Sequence, residues 1–208
     1  MVTLVAWALL SFSPKWTPLF DGKTFTGWKQ VAGTATYRIE NGTIVGKTAT
    51  GSPNSFLATE KTFRNFELEF EVKVDDRLNS GVQLRSFLSP SGTYGGPQVE
   101  IESSPGQAGY VYGEGSDFGW MSPEPNDPSE KVNQHTIFKN REWNRYRVIA
   151  SGARIQTFLN GKKLADVTHE KMFSTHSTGS IGLQVHSIGS NEGPFEVAWK
   201  NIRIKELP

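Results

Sequence analysis

The stretch Phe66-Glu67-Leu68-Glu69-Phe70-Glu71-Val72-Lys73-Val74 alternates apolar and charged residues without a break. Successive side chains on a strand point to opposite faces. Phe66, Leu68, Phe70, Val72 and Val74 therefore predict one core-facing side, and Glu67, Glu69, Glu71 and Lys73 one side in solvent. This is the pattern of a sandwich strand with one face on the core and one in water.

Similar signals lie on both sides of it. Asn41-Gly42 separates the short runs Tyr37–Glu40 and Thr43–Val45, and Asn160-Gly161 separates residues 154–159 from 162–167. Asn-Gly between such runs selects a type I′ hairpin turn. Residues 141–150 read as a further strand. In the last strand, Phe195 to Ile204, Val197 and Trp199 share one face while Ile202 and Ile204 fall on the other, so a bulge is expected near Lys200-Asn201. Trp16 to Trp28 is punctuated by Pro18, Asp21-Gly22 and Gly27 and predicts at most short strands. His169 to Ser177 predicts one helical turn or a loop. About twelve strands point to an all-β, two-sheet sandwich.

The 208 residues suit a single all-β domain over residues 16–208. Twenty-one glycines and 11 prolines fit many strands joined by turns. Twenty-two basic against 21 acidic residues leave a net charge of +1, which gives no electrostatic case for a nucleic-acid partner or an anionic membrane. With no cysteine, disulfides and thiolate metal sites are excluded. Val2 to Phe12 is apolar but too short to span a bilayer. Residues 1–15 read as an export leader with a truncated start, or else as a buried first strand. The leader reading predicts a periplasmic or extracellular protein.

The chemistry concentrates in Gly95-Gly-Pro-Gln-Val-Glu-Ile-Glu-Ser-Ser104. Val99 and Ile101 share one strand face; Gln98, Glu100 and Glu102 share the other. A core does not accept two unpaired carboxylates cheaply, so this face looks into water or a polar cleft. The Cα atoms of Glu100 and Glu102 are roughly 6.6 Å apart, in the range where paired carboxylates serve glycoside hydrolysis. Three neighbouring runs behave alike. Val82 and Leu84 point inward with Gln83 and Arg85 opposite. Val111 points inward with Tyr112 and Glu114 opposite. Ile181, Leu183 and Val185 point inward with Gln184 and His186 opposite. Brought together in one sheet, these groups form a polar groove. Gly115 to Asn140 has no periodicity and holds Trp120 and Met121 with Pro123, Pro125 and Pro128; it reads as a binding loop or a surface insertion.

With these segments placed, the chain resembles the 3-keto-disaccharide hydrolase family, which has a concanavalin A-like jelly-roll fold related to glycoside hydrolase family 16. The resemblance covers roughly Trp16 to Leu207. It is carried by Pro18-Leu-Phe-Asp-Gly-Lys-Thr24 with Gly27-Trp28, Asn65-Phe-Glu-Leu68, Asn79-Ser-Gly-Val-Gln-Leu-Arg85 and Gly96-Pro-Gln-Val-Glu-Ile101. Gly109-Tyr-Val-Tyr-Gly-Glu114, Glu142-Trp-Asn-Arg-Tyr-Arg147, Leu159-Asn-Gly161, Ile181-Gly-Leu-Gln-Val-His186 and Lys200-Asn-Ile-Arg-Ile204 complete it. Val185 and Pro97 depart from the family pattern, where many members carry an acidic and an aromatic residue.

The resemblance implies a secreted enzyme acting on glycosides whose C3 hydroxyl is already a ketone. The ketone acidifies the C2 proton, a base removes it, the C1 aglycone leaves, and water adds back. Arg85, Gln98, Glu100, Tyr112, Glu114, Gln184 and His186 match the family's positions. Glu100 is the first candidate for the base, with Glu102 and Glu114 behind it. His186 is the candidate acid, imidazole being the side chain suited to proton exchange near neutral pH, or else holds a loop. Arg85 binds a sugar hydroxyl or the C3 oxygen, or pairs with Glu100 or Glu102. Gln98, Glu102, Tyr112, Trp120 and Gln184 complete the expected substrate contacts. No cofactor or metal is demanded, although a structural calcium ion is compatible with the oxygen ligands present. Cleavage of ordinary β-glycosides and a non-catalytic, lectin-like carbohydrate-binding module are the other readings.

Overall fold

The computed structural model describes residues 14–122 and 134–208. Most of the leader (residues 1–13) and Pro123, Pro125 and Pro128 lie outside them. Among the described residues the strands are β1 (Thr17–Pro18), β2 (Trp28–Ala32), β3 (Thr36–Glu40), β4 (Thr43–Lys47), β5 (Ser55–Thr59), β6 (Phe66–Val74), β7 (Ser80–Leu88) and β8 (Tyr94–Ile101). They continue with β9 (Val111–Glu114), β10 (Gly119–Trp120), β11 (Asn144–Ser151), β12 (Arg154–Leu159), β13 (Lys162–Thr168), β14 (Ser180–Val185) and β15 (Glu196–Glu206). One short helix, α1 (Glu170–Thr175), precedes β14. No helix among them is long and apolar enough to cross a membrane.

The strands form two antiparallel sheets packed as a jelly-roll sandwich. The first has the order β13-β12-β11-β6-β15-β4-β3, with β1 also on β15; the second has the order β10-β9-β8-β7-β14-β5-β2. There are more strands than the pattern predicts. β1 and β10 are two residues long, and β5 is buried at all five positions, so it shows no alternation. Both Asn-Gly pairs make the expected hairpins, with φ of 50° and 75° at Asn41 and Gly42 and 50° and 84° at Asn160 and Gly161. The bulge in β15 is where the phase change puts it: the register slips between Lys200 and Arg203, and Asn201 has φ 53°.

Leu68, Phe70 and Val72 of β6 meet Val82, Val99, Val111 and Leu183 of the second sheet in one continuous core. Two tyrosines tie the sheets across it. Tyr146 stacks on Phe70 with ring centroids 4.9 Å apart, and its hydroxyl lies 3.2 Å from the carbonyl of Glu100, to which it donates. The Tyr37 hydroxyl lies 3.0 Å from the carbonyls of both Ser55 and Leu183. Each carbonyl belongs to the opposite sheet, so the rings close the core while their polar ends find partners.

The charged face of β6 departs from the simple solvent row. Glu67 and Glu69 are only 6% and 7% exposed. Arg145 from β11 donates two 2.9 Å bonds to Glu69, and Arg203 from β15 donates to the same carboxylate. Arg147 and Lys205 hold Glu67 in the same way. The long cationic stems of both neighbouring strands fold over the carboxylates. Burial alone would raise the Glu69 carboxyl, but the bonds from Arg203 and Arg145 outweigh it and hold the carboxyl below its usual range. A carboxyl depressed in the folded state stabilises the fold above its unfolded value, and that stability is lost as pH falls through the folded value. Glu69→Gln is therefore expected to cost about 1 kcal/mol at pH 7 and to flatten the loss of melting temperature between about pH 5 and pH 3, as followed by thermal denaturation across that range.

Candidate active site

The second sheet turns one face to the core; its other face carries the polar residues. Strand register places them in rows. Gln184 of β14, Gly81 of β7 and Glu100 of β8 lie directly across from one another. Gly182, Gln83, Gln98 and Tyr112 form the next row on this face, continued by Trp120 of β10. The side-chain period of two puts alternate residues of each strand on this side, while Val82, Val99, Val111 and Leu183 between the rows enter the core.

Glu100 is the centre of this face. It is 5% exposed, and no cation bonds to it among the described residues. Its carboxylate accepts from the Gln98 amide at 2.7 Å and from the Asn79 amide at 3.2 Å. Burial drives its pKa up to about 7, the two amides pull against that, and Glu102 and Glu114 add to the rise. Gly81 makes room for this arrangement: a Cβ there would lie 2.4 Å from Cδ of Gln98. The Gln98 side chain thus lies flat over the β7 backbone with its amide directed at Glu100.

Other expected residues surround this pair. Gln184 is fully buried, and its amide nitrogen and oxygen find no partner among the described residues. Glu114 accepts a 2.9 Å bond from Asn54, whose amide oxygen in turn accepts from the backbone of Ser187. Tyr112 and Trp120 meet edge to face at 5.2 Å. His186 follows Gln184 by two residues and its Nδ1 lies 2.7 Å from the Ser187 carbonyl. A carbonyl only accepts, so Nδ1 carries the hydrogen and Nε2 is the atom free to exchange a proton.

Two expected residues do not join the group. Glu102 accepts from the backbone N–H of Gln107 and so holds the turn after β8. Arg85 turns inward. The register of β7 slips between Gln83 and Phe87, and Arg85 itself has φ 51°, so the alternation is broken and Leu84 and Arg85 both enter the interior. Arg85 is 1% exposed. Its guanidinium donates to the carbonyls of Arg64 and Gly152 at 2.5 and 2.8 Å and lies 5.8 and 5.1 Å from the ring centroids of Phe66 and Phe173. Burial and neighbouring Arg64 push its pKa down to about 10, so it remains charged at neutral pH. It binds the two sheets together and pairs with neither Glu100 nor Glu102.

Pattern reading passed over Asn79 and Asn54. Asn79 carried a signal, since it sits two and four residues before Gly81 and Gln83. Asn54 lies in the segment before β5, where no period applies. Among the described residues, no group of three or more His, Asp or Glu side chains is arranged to hold a metal ion.

The model of the 3-keto-alpha-glucoside-1,2-lyase-like domain matches residues 15–205. The chain belongs to this family. No curated protein matches it in sequence. Among solved structures, a candidate glycosyl hydrolase from Parabacteroides distasonis is similar at 23% identity and a TM-score of 0.62, covering 93% of this chain and 94% of that one. A kappa-carrageenase from Pseudoalteromonas carrageenovora is similar at 12% identity and TM-score 0.62, covering 96% and 98%. The carbohydrate-binding module CBM66 from Bacillus subtilis is similar at 15% identity and TM-score 0.58, covering 86% and 96%. At these identities the likeness is one of fold. The same fold serves hydrolases and binding modules, so the function has to be argued from the site.

The raised carboxyl of Glu100 has a consequence for stability. The folded state holds a proton there that the unfolded state has released, so stability falls as pH rises from the usual glutamate range to about 7 and is level above that. Glu100→Gln removes this penalty. Relative to the parent, the variant is expected to gain on the order of 2–3 kcal/mol between pH 4.5 and pH 8, measured by denaturant unfolding at both pH values.

Proposed function

We propose that this protein cleaves 3-keto-glycosides by elimination across C1 and C2 followed by addition of water, with Glu100 as the base. The observation that carries this reading is a buried carboxylate held only by neutral amides, with a pKa of about 7. A base of that strength is half ionised at neutral pH and is a better proton acceptor than an ordinary solvated glutamate. It suits a proton acidified by an adjacent ketone. The family's description as lyase-like across the 1,2 bond supports the same chemistry.

The steps follow. The Glu100 carboxylate takes the C2 proton, and the electron pair moves toward the C3 oxygen as an enolate. The pair then returns, the C1–O bond breaks, and the aglycone leaves as an alcohol once it gains a proton, with a C1–C2 double bond in the sugar. Water adds its oxygen to C1 and a proton to C2, so the sum is hydrolysis. Gln184, two strands from Glu100 across Gly81, has an amide with no partner among the described residues and supplies a donor for the enolate oxygen. His186 in its imidazolium form, with Nδ1–H on the Ser187 carbonyl, gives its Nε2 proton to the leaving oxygen. Tyr112 and Trp120 provide an aromatic wall for the sugar. The apolar residues 2–12 fit an exported protein, which would meet such sugars outside the cytoplasm.

The decisive measurement is aglycone release from a 3-keto-glucoside beside its unoxidised parent. Release is expected from the keto compound alone. Glu100→Gln is expected to lower its turnover by about 10²–10⁴-fold while sugar binding by calorimetry is retained. Release from the unoxidised parent at the same rate would replace the elimination with ordinary glycoside hydrolysis. Binding without release from either compound would make the chain a carbohydrate-binding module.

A further inference from the structure

Glu100 is the end of a longer chain of side chains on the same face. The Ser86 hydroxyl has two acceptors in reach, the Gln83 amide oxygen at 2.8 Å and the Leu84 carbonyl at 3.1 Å, and donates to the nearer. The Gln83 amide N–H donates to the Gln98 amide oxygen at 2.8 Å. The Gln98 amide N–H donates to Glu100 at 2.7 Å. Ser86, Gln83 and Gln98 are each no more than 1% exposed.

An amide has one donor end and one acceptor end, so each member of this chain fixes the direction of the next. Ser86 gives its hydrogen to the oxygen of Gln83, which leaves the Gln83 nitrogen to face Gln98. Gln98 must then offer its oxygen to Gln83 and its nitrogen to Glu100. With Asn79 donating to the other carboxylate oxygen, both oxygens of Glu100 face donors. A carboxylate welcomes that arrangement. A protonated carboxyl fits it less well, because neither amide nitrogen accepts its O–H.

We propose that Ser86 and Gln83 are positioning residues for Glu100, fixing the direction of the Gln98 amide and thereby favouring the ionised, base-competent carboxylate. Without Gln83, Gln98 is free to rotate its oxygen toward Glu100 and accept a hydrogen from the protonated acid. The relay thus opposes the burial that would otherwise keep Glu100 neutral. The other titratable groups around Glu100 are Glu102 at the end of its own strand, Glu114 with Tyr110 and Tyr112 on the β9 side, His186 beyond β14, and Tyr146, whose hydroxyl reaches the Glu100 carbonyl from the first sheet. β7 and the residue just before it present Asn79, Gly81 and Gln83 to it, so removing Gln83 changes a hydrogen bond and no charge.

The functional weight of the relay rests on Glu100 being the base, but its effect on protonation can be read without any substrate. The test is a carbon-13 titration of the Glu100 side-chain carboxyl, assigned by its loss in Glu100→Gln. Gln83→Leu is expected to raise the midpoint by about one pH unit. Ser86→Ala is expected to raise it by less, and Ser86→Thr, which keeps the hydroxyl, to leave it in place. A midpoint that is unchanged or lowered in Gln83→Leu would overturn the proposal. If that variant fails to fold, an unchanged midpoint in Ser86→Ala does the same. A residue that only fills space would lower the melting temperature without moving the midpoint. Failure of the 3-keto assay alone, with the shifts present, would strike the proposed reaction and spare the relay.

Discussion

A buried carboxylate that no cation answers among the described residues is the constraint around which the second sheet is arranged. As the proposed base, Glu100 has to be desolvated to accept a proton strongly, and it has to be hydrogen-bonded to be tolerated at all. The chain meets both demands with neutral amides from Gln98 and Asn79. A lysine or arginine in their place would bring the carboxyl down into the ordinary range and weaken it as a proton acceptor. The one arginine that strand alternation would place on this face, Arg85, is instead turned through the sandwich and held by backbone carbonyls and aromatic rings.

The first sheet shows the opposite solution with the same residue type. Glu67 and Glu69 are nearly as buried as Glu100, yet each is gripped by two cations from flanking strands and held acidic. One sheet therefore uses its carboxylates for cross-strand cohesion, and the other leaves one without a cation among the described residues. The sign of the stability dependence follows. The paired glutamates favour the fold above the acid range, whereas Glu100 disfavours it as the pH approaches neutrality.

Much of this was legible in the chain because a strand has a period of two. That period alone separates Val99 and Ile101 from Gln98 and Glu100, and the Asn-Gly pairs mark the hairpins without any tertiary information. The period fails where the backbone breaks it. Arg85 was assigned to the polar face because nothing in Gln83-Leu84-Arg85 announces a register slip and a positive φ. Glu102 shares its face with Glu100 on paper, but its strand ends at Ile101 and the turn beyond captures it. β5 could not be seen because both its faces are covered, and Asn54 because its partners come from β9 and from the segment after β14. Local pattern reports which way a side chain points, and only the fold reports what it meets.

Two glycines shape the polar face. Gly81 lies under the Gln98 side chain, and at Gly182 a Cβ would come within 2.8 Å of the Tyr94 ring. The outer layer of this face is therefore made of side chains lying along the sheet, with bare backbone beneath them. Shortening Gln98 or Tyr94 would deepen the hollow to the main chain itself, with no change in strand order or pairing. A single layer of residues thus sets the depth of this face, and exchanging it leaves the sheet beneath unchanged.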